Sequence, residues 1–130
     1  MRIAKALYDQ MVDHALRDAP DECCGMIAEV DGVATAVYEL ENIAHSPLRY
    51  EMDGREQYEV INAIEDAGAE IGAIYHSHTR SDPYPSQTDI NLAFYPGSLY
   101  IIVGTRGDQP EVRAYEIADG RVAEAVLTVE

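Results

Sequence analysis

The segment YHSHTRSDPYPSQTD, from Tyr75 to Asp89, contains two of the four histidines in this 130-residue sequence. It overlaps the end of a short apolar run that starts at Ile71, and this run is typical of a buried β-strand. Because side chains alternate between the two faces of a strand, His76 and His78 would project to the same side, away from Ser77. The segment therefore predicts two imidazoles directed at one point in space.

A third metal ligand is available at the end of the same segment. Two prolines restrict the loop after the histidines, and Ser86 then begins a predicted short helix with Asp89 in its first turn. From that position the carboxylate of Asp89 can reach back to His76 and His78. Two imidazoles and one carboxylate, with a fourth position left open, suit a catalytic zinc ion, while the ligand types alone leave iron and manganese open.

Ser86 and Asp89 also have a purely structural interpretation. Serine is a preferred N-cap, and an acidic residue three positions later completes a capping box and is favoured by the helix dipole. A helix start would therefore explain both side chains without a metal. It would leave the two imidazoles unexplained, because buried polar groups are costly when they lack partners.

The order of these side chains resembles a known signature. The pattern His-x-His, seven residues, Ser, two residues, Asp is present as His76, His78, Ser86 and Asp89, and it is similar to the signature of the JAMM (MPN+) metalloproteases. The segments PDECCG, SPLRYEMD and YHSHTRSDPYPSQTD resemble the bacterial branch that releases cysteine from a ubiquitin-like sulfur-carrier protein. The resemblance extends over essentially the whole chain and implies a single MPN/JAB1-like, cytidine-deaminase-like domain, residues 1–130.

The resemblance also implies the role of each site residue. One zinc ion per chain, with a bound water, would be held by His76, His78 and Asp89, and zinc lowers the pKa of such a water toward about 7. Glu22, in PDECCG, occupies the position of the family's glutamate and would move the proton from water to the departing amine. Ser86 would donate a hydrogen bond to the oxyanion.

The implied substrate is the peptide bond after the C-terminal glycine of the carrier, and the implied pathway is cysteine biosynthesis. We expect the carrier's C-terminal tail to add a strand to an exposed sheet edge beside the metal. Two alternatives stay open: a non-catalytic MPN-type scaffold or interaction protein, and a deubiquitinase-like JAMM protease with a different ubiquitin-like substrate. The resemblance leaves a homodimer open as the assembly.

Composition excludes several other classes of function. The formal net charge of -15, from 24 acidic and 9 basic residues, disfavours nucleic acid and anionic membranes as partners. With no apolar run of membrane-spanning length and no export signal at the start, the expected compartment is the cytoplasm. Lys5 is the only lysine, which suits either a high-salt environment or a GC-rich genome.

The two cysteines are adjacent, Cys23 and Cys24, so they are expected to be free thiols. Cys24 is a candidate nucleophile, a redox-sensitive neighbour of the metal or a small buried side chain. A cysteine-protease mechanism would also need a histidine base, and the metal site already uses both suitable histidines. We therefore favour the last interpretation, which is the commonest for a free cysteine.

The rest of the chain predicts an α+β domain with a mostly antiparallel sheet. An amphipathic helix before Pro20 carries His14, which we expect at the surface or its boundary, and His45 is expected in a solvated loop. Asp31-Gly32 predicts a tight turn between two strands, followed by a second amphipathic helix that stops near Gly68. After the metal-binding segment, LYIIVGT, EVRAYEIA and RVAEAVLTV predict three more strands.

Overall fold

One mixed sheet with three helices forms the protein in the computed structural model, which describes residues 1–130. The strands are β1 (Arg2–Ile3), β2 (Cys24–Val30), β3 (Val33–Leu40), β4 (Glu70–His78), β5 (Leu99–Gly104), β6 (Glu111–Ala118), β7 (Arg121–Ala125) and β8 (Thr128–Val129). The helices are α1 (Lys5–Asp18), α2 (Gly54–Asp66) and α3 (Gln87–Asn91). None of them has the length and apolar character of a membrane-spanning helix.

The strands follow the spatial order β7-β6-β5-β4-β2-β3-β1-β8. The pairs β2–β3, β2–β4, β5–β6 and β6–β7 are antiparallel, whereas β4–β5, β1–β3 and β1–β8 are parallel. The predicted α+β class with a mostly antiparallel sheet is therefore confirmed. β4 lies in the middle of the sheet between β2 and β5. The prediction of an exposed sheet edge beside the histidines is therefore wrong.

Alternation along the central strand divides the core into two faces. Tyr75 packs in a cluster with Met11 of α1 on one face. On the other face, Ile74 packs with Ile102 of β5, and Ile64 of α2 packs against β2. His76 and His78 follow the alternation of Ile74, which places them on the face that α2 covers.

Local sequence signals account for the turn and the helix ends. Asp31 and Gly32 both have positive φ, 50° and 81°, as a two-residue hairpin turn with the right twist requires. The side chain of Asp53 caps α2 by accepting a hydrogen bond from the Glu56 N–H. Gly68, with φ of 72°, follows the end of α2 at the predicted stop.

Two elements differ from the prediction. The segment RVAEAVLTV forms two strands, β7 and β8, and β8 pairs with the unpredicted β1 through Arg2 and Thr128. Strands of two residues carry no periodic pattern, and their partners lie at opposite ends of the chain. α3 is also shorter than predicted, because it ends at Asn91 and has Leu92 as its C-cap.

His14 is buried, with 4% of its surface exposed, so its expected place at the surface or boundary is wrong. Its Nδ1 atom lies 2.7 Å from the Tyr75 hydroxyl, and its Nε2 atom lies 3.2 Å from a carboxylate oxygen of Asp18. These partners satisfy both ring nitrogens, which makes burial of the polar ring tolerable. The other expectation holds, since the His45 side chain is 68% exposed in its loop.

Candidate metal centre

His76 and His78 meet at the end of β4, as strand alternation predicts. Their Nε2 atoms lie 3.1 Å apart, and only 1% and 4% of the two residues is exposed. Ser77 points to the opposite face, where its hydroxyl accepts a hydrogen bond from the Cys23 N–H at 2.8 Å. The predicted pair of imidazoles therefore forms a buried, convergent site.

Asp89 completes the group from the first turn of α3. Its Oδ2 atom lies 3.2 Å from Nε2 of His76 and 3.0 Å from Nε2 of His78. The three side chains offer one ligand atom each, all within 4.8 Å of one another, which is a spacing that could hold a metal ion. The loop with two prolines thus brings the carboxylate back to the histidines, as the sequence predicts.

The Nδ1 atoms of the two histidine rings have different surroundings. Nδ1 of His78 lies 2.8 Å from the main-chain oxygen of Asp82, to which an N–H at this nitrogen donates. That hydrogen bond leaves a lone pair on Nε2, directed into the site. Nδ1 of His76 has no hydrogen-bond partner, and the ring instead stacks on Tyr50 with centroids 4.6 Å apart.

The charges of the three candidate ligands favour a bound cation. Burial lowers the pKa of His76, so its ring is neutral near pH 7. Burial also acts to raise the pKa of Asp89, but its contacts with His76 and His78 hold that pKa far below its usual range. Burial also acts to lower the pKa of His78, but its contacts with Asp89 and with the Asp82 main-chain oxygen raise it. The carboxylate of Asp89 thus stabilises a positive charge beside His78, and either a proton or a metal ion can supply that charge.

Ser86 forms the capping box with Asp89. Its Oγ atom accepts from the Asp89 N–H at 3.1 Å, and Oδ2 of Asp89 accepts from the Ser86 N–H at 2.9 Å. The capping interpretation is therefore correct in its geometry. It does not exclude a catalytic role, because capping occupies a lone pair of the hydroxyl and leaves its proton free to be donated.

Glu22 lies beside the histidines through the pairing of β2 with β4. Cys24 is opposite His76 in the antiparallel register, and the Cys23 carbonyl accepts from the Ser77 N–H at 3.2 Å. If this register is continued by two positions beyond Cys24, Glu22 lies opposite His78, on the face of the sheet that carries the two histidines. Burial raises the pKa of Glu22 to about 8; the smaller effect of His78 lowers this pKa, and that of Asp89 raises it. The fold thus brings the residue from PDECCG to the metal-binding segment.

Asn42 is a site residue that the sequence did not reveal. Its buried amide donates to the main-chain oxygens of Glu22 and Arg49 at 2.9 and 3.0 Å. Its side-chain oxygen accepts from the N–H groups of Ala44 and Glu51, both at 3.0 Å. These four bonds hold the loop after β3 against Glu22. An asparagine between a strand and an irregular loop is common, so the sequence carried no specific signal.

Apolar side chains lie on one side of the three candidate metal ligands. Leu48, Tyr50 and Leu92 line a small recess together with Ser86 and Asp89. Tyr50 and Leu92 also belong to a larger apolar groove, to which Phe94 contributes. Leu48 and Phe94 are 71% and 72% exposed, which is high for large apolar side chains. The surface beside the site is therefore suited to apolar contacts with another molecule.

Comparisons with known proteins agree with this site. A sequence model of prokaryotic homologs of the JAB domain matches residues 4–118. The chain is 42% identical to the CysO-cysteine peptidase of Mycobacterium tuberculosis over 126 residues, which cover 95% of this chain and 86% of that protein. It is 34% identical to the desampylase of Haloferax volcanii over 137 residues, covering 100% of this chain and 96% of the relative.

The fold is likewise similar to a solved structure. The JAB1/MPN domain protein from Archaeoglobus fulgidus superimposes with a TM-score of 0.70 at 21% identity, over 99% of this chain and 98% of the other. The predicted MPN/JAB1-like architecture is thereby confirmed. The chain therefore belongs to the prokaryotic homologs of the JAB domain, within the JAMM/MPN+ family of metalloproteases that hydrolyse peptide or isopeptide bonds.

Proposed function

We propose that this protein is a zinc-dependent peptidase that cuts after the C-terminal glycine of a ubiquitin-like sulfur-carrier protein and releases cysteine. The observation that carries the proposal is the convergence of His76, His78 and Asp89 on one point, with Glu22 two residues before Cys24, which pairs with His76 in the β2–β4 register. The 42% identity to a CysO-cysteine peptidase supports the substrate.

His76, His78 and Asp89 are the side chains that would hold the metal. Their two nitrogens and one oxygen suit zinc, and three protein ligands are typical of catalytic rather than structural zinc sites. When bound, zinc supplies Lewis acidity toward water and toward the scissile carbonyl. The Asp82 carbonyl and the capping box fix the directions in which His78 and Asp89 present their ligand atoms.

Glu22 is proposed to move the proton during hydrolysis. Its carboxylate accepts a proton from the attacking water and later delivers that proton to the departing amine. A group that does both works best when its pKa lies near the operating pH. Burial, which raises the pKa of Glu22 to about 8, brings the carboxyl group into that range.

Ser86 is proposed to stabilise the oxyanion of the tetrahedral intermediate. Its hydroxyl lies at the start of α3, next to the Asp89 ligand, and its proton is not used by the capping box. A donor aimed at the developing negative charge typically contributes about 3 to 4 kcal/mol to the transition state. Helix capping then fixes the position of the hydroxyl that acts in catalysis.

The apolar recess beside Ser86 is proposed to receive the carrier's C-terminal tail. Its side chains Leu48 and Leu92 come from the loop after β3 and from the C-cap of α3. This placement replaces the expected addition of a strand to a sheet edge, because both edge strands, β7 and β8, lie at least three strands from β4. The recess is also narrow, which favours glycine residues at the end of the tail.

Metal analysis combined with a cleavage assay tests the proposal. Protein purified without chelator should contain about one zinc ion per chain and should release cysteine from a carrier–cysteine adduct. Glu22→Ala should retain the zinc and lose the activity. Full activity of this variant would refute the mechanism. Protein that neither contains zinc nor regains it from solution would instead support the scaffold alternative.

A second candidate is cleavage of isopeptide conjugates of a ubiquitin-like protein. The observation that favours it is the similarity to the Haloferax volcanii desampylase along the entire chain. A carrier joined to a lysine side chain, assayed beside the carrier–cysteine adduct, separates the two. A kcat/KM at least ten-fold higher for the lysine conjugate would assign the protein to this second class.

A further inference from the structure

Pro83 and its neighbours form the middle of the loop that joins the metal ligands His78 and Asp89. The Asp82 carbonyl in this loop accepts from Nδ1 of His78 at 2.8 Å. Pro85 then leads directly into Ser86, where α3 begins. The position of this short segment, residues 82–85, therefore affects the orientation of two ligands at once.

Tyr115 of β6 reaches this segment from two strands away. Its hydroxyl donates to the Pro83 main-chain oxygen at 2.5 Å, and only 3% of the residue is exposed. Its ring also meets the ring of Tyr84 edge-on, with centroids 5.5 Å apart. A buried hydrogen bond thus attaches the segment to the sheet at Pro83. Pro83 directly follows Asp82, whose carbonyl orients His78.

The other side of the segment rests on β5. Pro83 is buried, and a Cβ atom added to Gly104 would lie 3.0 Å from its Cδ atom. Gly104 therefore leaves the space that Pro83 occupies. Arg106 forms an ion pair with the Asp82 carboxylate, but both side chains are exposed and such pairs stabilise little. The buried contacts of Pro83 with Tyr115 and Gly104 are the ones that can fix the segment.

We propose that Tyr115 is a positioning residue for the metal centre, which acts through the Asp82–Pro83 segment to hold His78 in its metal-binding orientation. This inference rests on the proposed function, because it assumes that His78 binds zinc. A hydrogen-bond partner of a metal-binding histidine fixes both its tautomer and its ring orientation. Tyr115 supports that partner from behind, so loss of its hydroxyl leaves the Asp82 carbonyl free to move away from Nδ1.

Tyr115→Phe tests this inference, with Tyr100→Phe as a matched control. Tyr100 is also a buried tyrosine of the sheet, but its hydroxyl accepts from the Tyr95 N–H in a different loop. Zinc affinity, measured by competition with a chromophoric chelator, should fall about ten-fold in Tyr115→Phe and remain unchanged in Tyr100→Phe. Equal affinity of Tyr115→Phe and wild type, or equal losses in both variants, would overturn the inference.

Ring ¹⁵N chemical shifts of His78 provide a readout that general loosening of the fold would not change. In zinc-loaded protein, the Nδ1 shift of wild type should report a hydrogen-bonded N–H, and that of Tyr115→Phe should report a weakened hydrogen bond to Asp82. If Tyr115→Phe does not fold, Gly104→Ala provides a second test, because its added methyl group crowds Pro83 and should weaken zinc binding in the same way. Wild-type protein that binds no zinc would refute the proposed function. Wild type that binds zinc no better than these variants would refute only the role of Tyr115.

Discussion

The Nε2 atom of His78 lies 3.0 Å from the Oδ2 atom of Asp89, although eleven positions separate the two residues in the chain. Asp89 is the only carboxylate among the three proposed metal ligands, so Asp89→Asn should weaken zinc binding strongly. We expect a loss larger than the roughly 10- to 100-fold that follows removal of a ligand's hydrogen-bond partner. Competition with a chelator of known affinity measures it.

Asp82→Asn is the control for this substitution. It removes one negative charge from the loop that leads into α3, but the exposed Asp82 carboxylate pairs with Arg106 and only its main-chain oxygen faces His78. Zinc affinity should therefore be retained. Equal losses in the two variants would mean that the charge of the loop, rather than ligation by Asp89, determines the affinity.

Ser86→Ala separates capping from catalysis. Removal of the N-cap should lower the free energy of unfolding by about 1 kcal/mol. Removal of the proposed oxyanion donor should lower kcat by about 100- to 1,000-fold. Asp53→Ala, which removes the N-cap of α2 far from the proposed chemistry, should cost similar stability without this loss of kcat. Similar kcat values for the two variants would leave Ser86 with a capping role alone.

The convergence of the three candidate metal ligands could be predicted because local geometry determines their arrangement. Strand alternation directs His76 and His78 to one face, and a helix start directs Asp89, all within one short segment. Glu22 depends instead on β2 pairing with β4, so its approach needed the family resemblance to be anticipated. Periodicity could not reveal that the polar ring of His14 is buried, because its burial depends on the distant Tyr75 hydroxyl.

Cys24→Ala tests whether a thiol takes part in the reaction. Both cysteines are fully buried, and burial raises the pKa of Cys23 to about 12 and raises that of Cys24 as well. At pH 8 the thiols are therefore protonated and unreactive. We expect Cys24→Ala to keep its kcat within about three-fold, since such a small change in the core costs stability rather than chemistry.

Intact mass after treatment with iodoacetamide completes this test. Folded wild type should gain no adduct at pH 8, and protein unfolded in urea should gain two. Rapid labelling of the folded protein together with inactivation would favour a thiol mechanism.

Glu22→Gln should stabilise the metal-free protein in a manner that depends on pH. Between the pKa of an unfolded glutamic acid and the folded value of about 8, the native state keeps a proton that the unfolded state has lost. The wild-type free energy of unfolding therefore falls as pH rises through this window, and glutamine removes that contribution. In EDTA, the free energy of unfolding of the variant should rise by about 1 to 3 kcal/mol relative to wild type between pH 5 and pH 8.5.

Urea melts measure the difference, with exposed Glu65→Gln as the control for a lost charge. A difference that stays constant across the range, or that Glu65→Gln reproduces, would show that burial of Glu22 is not its source.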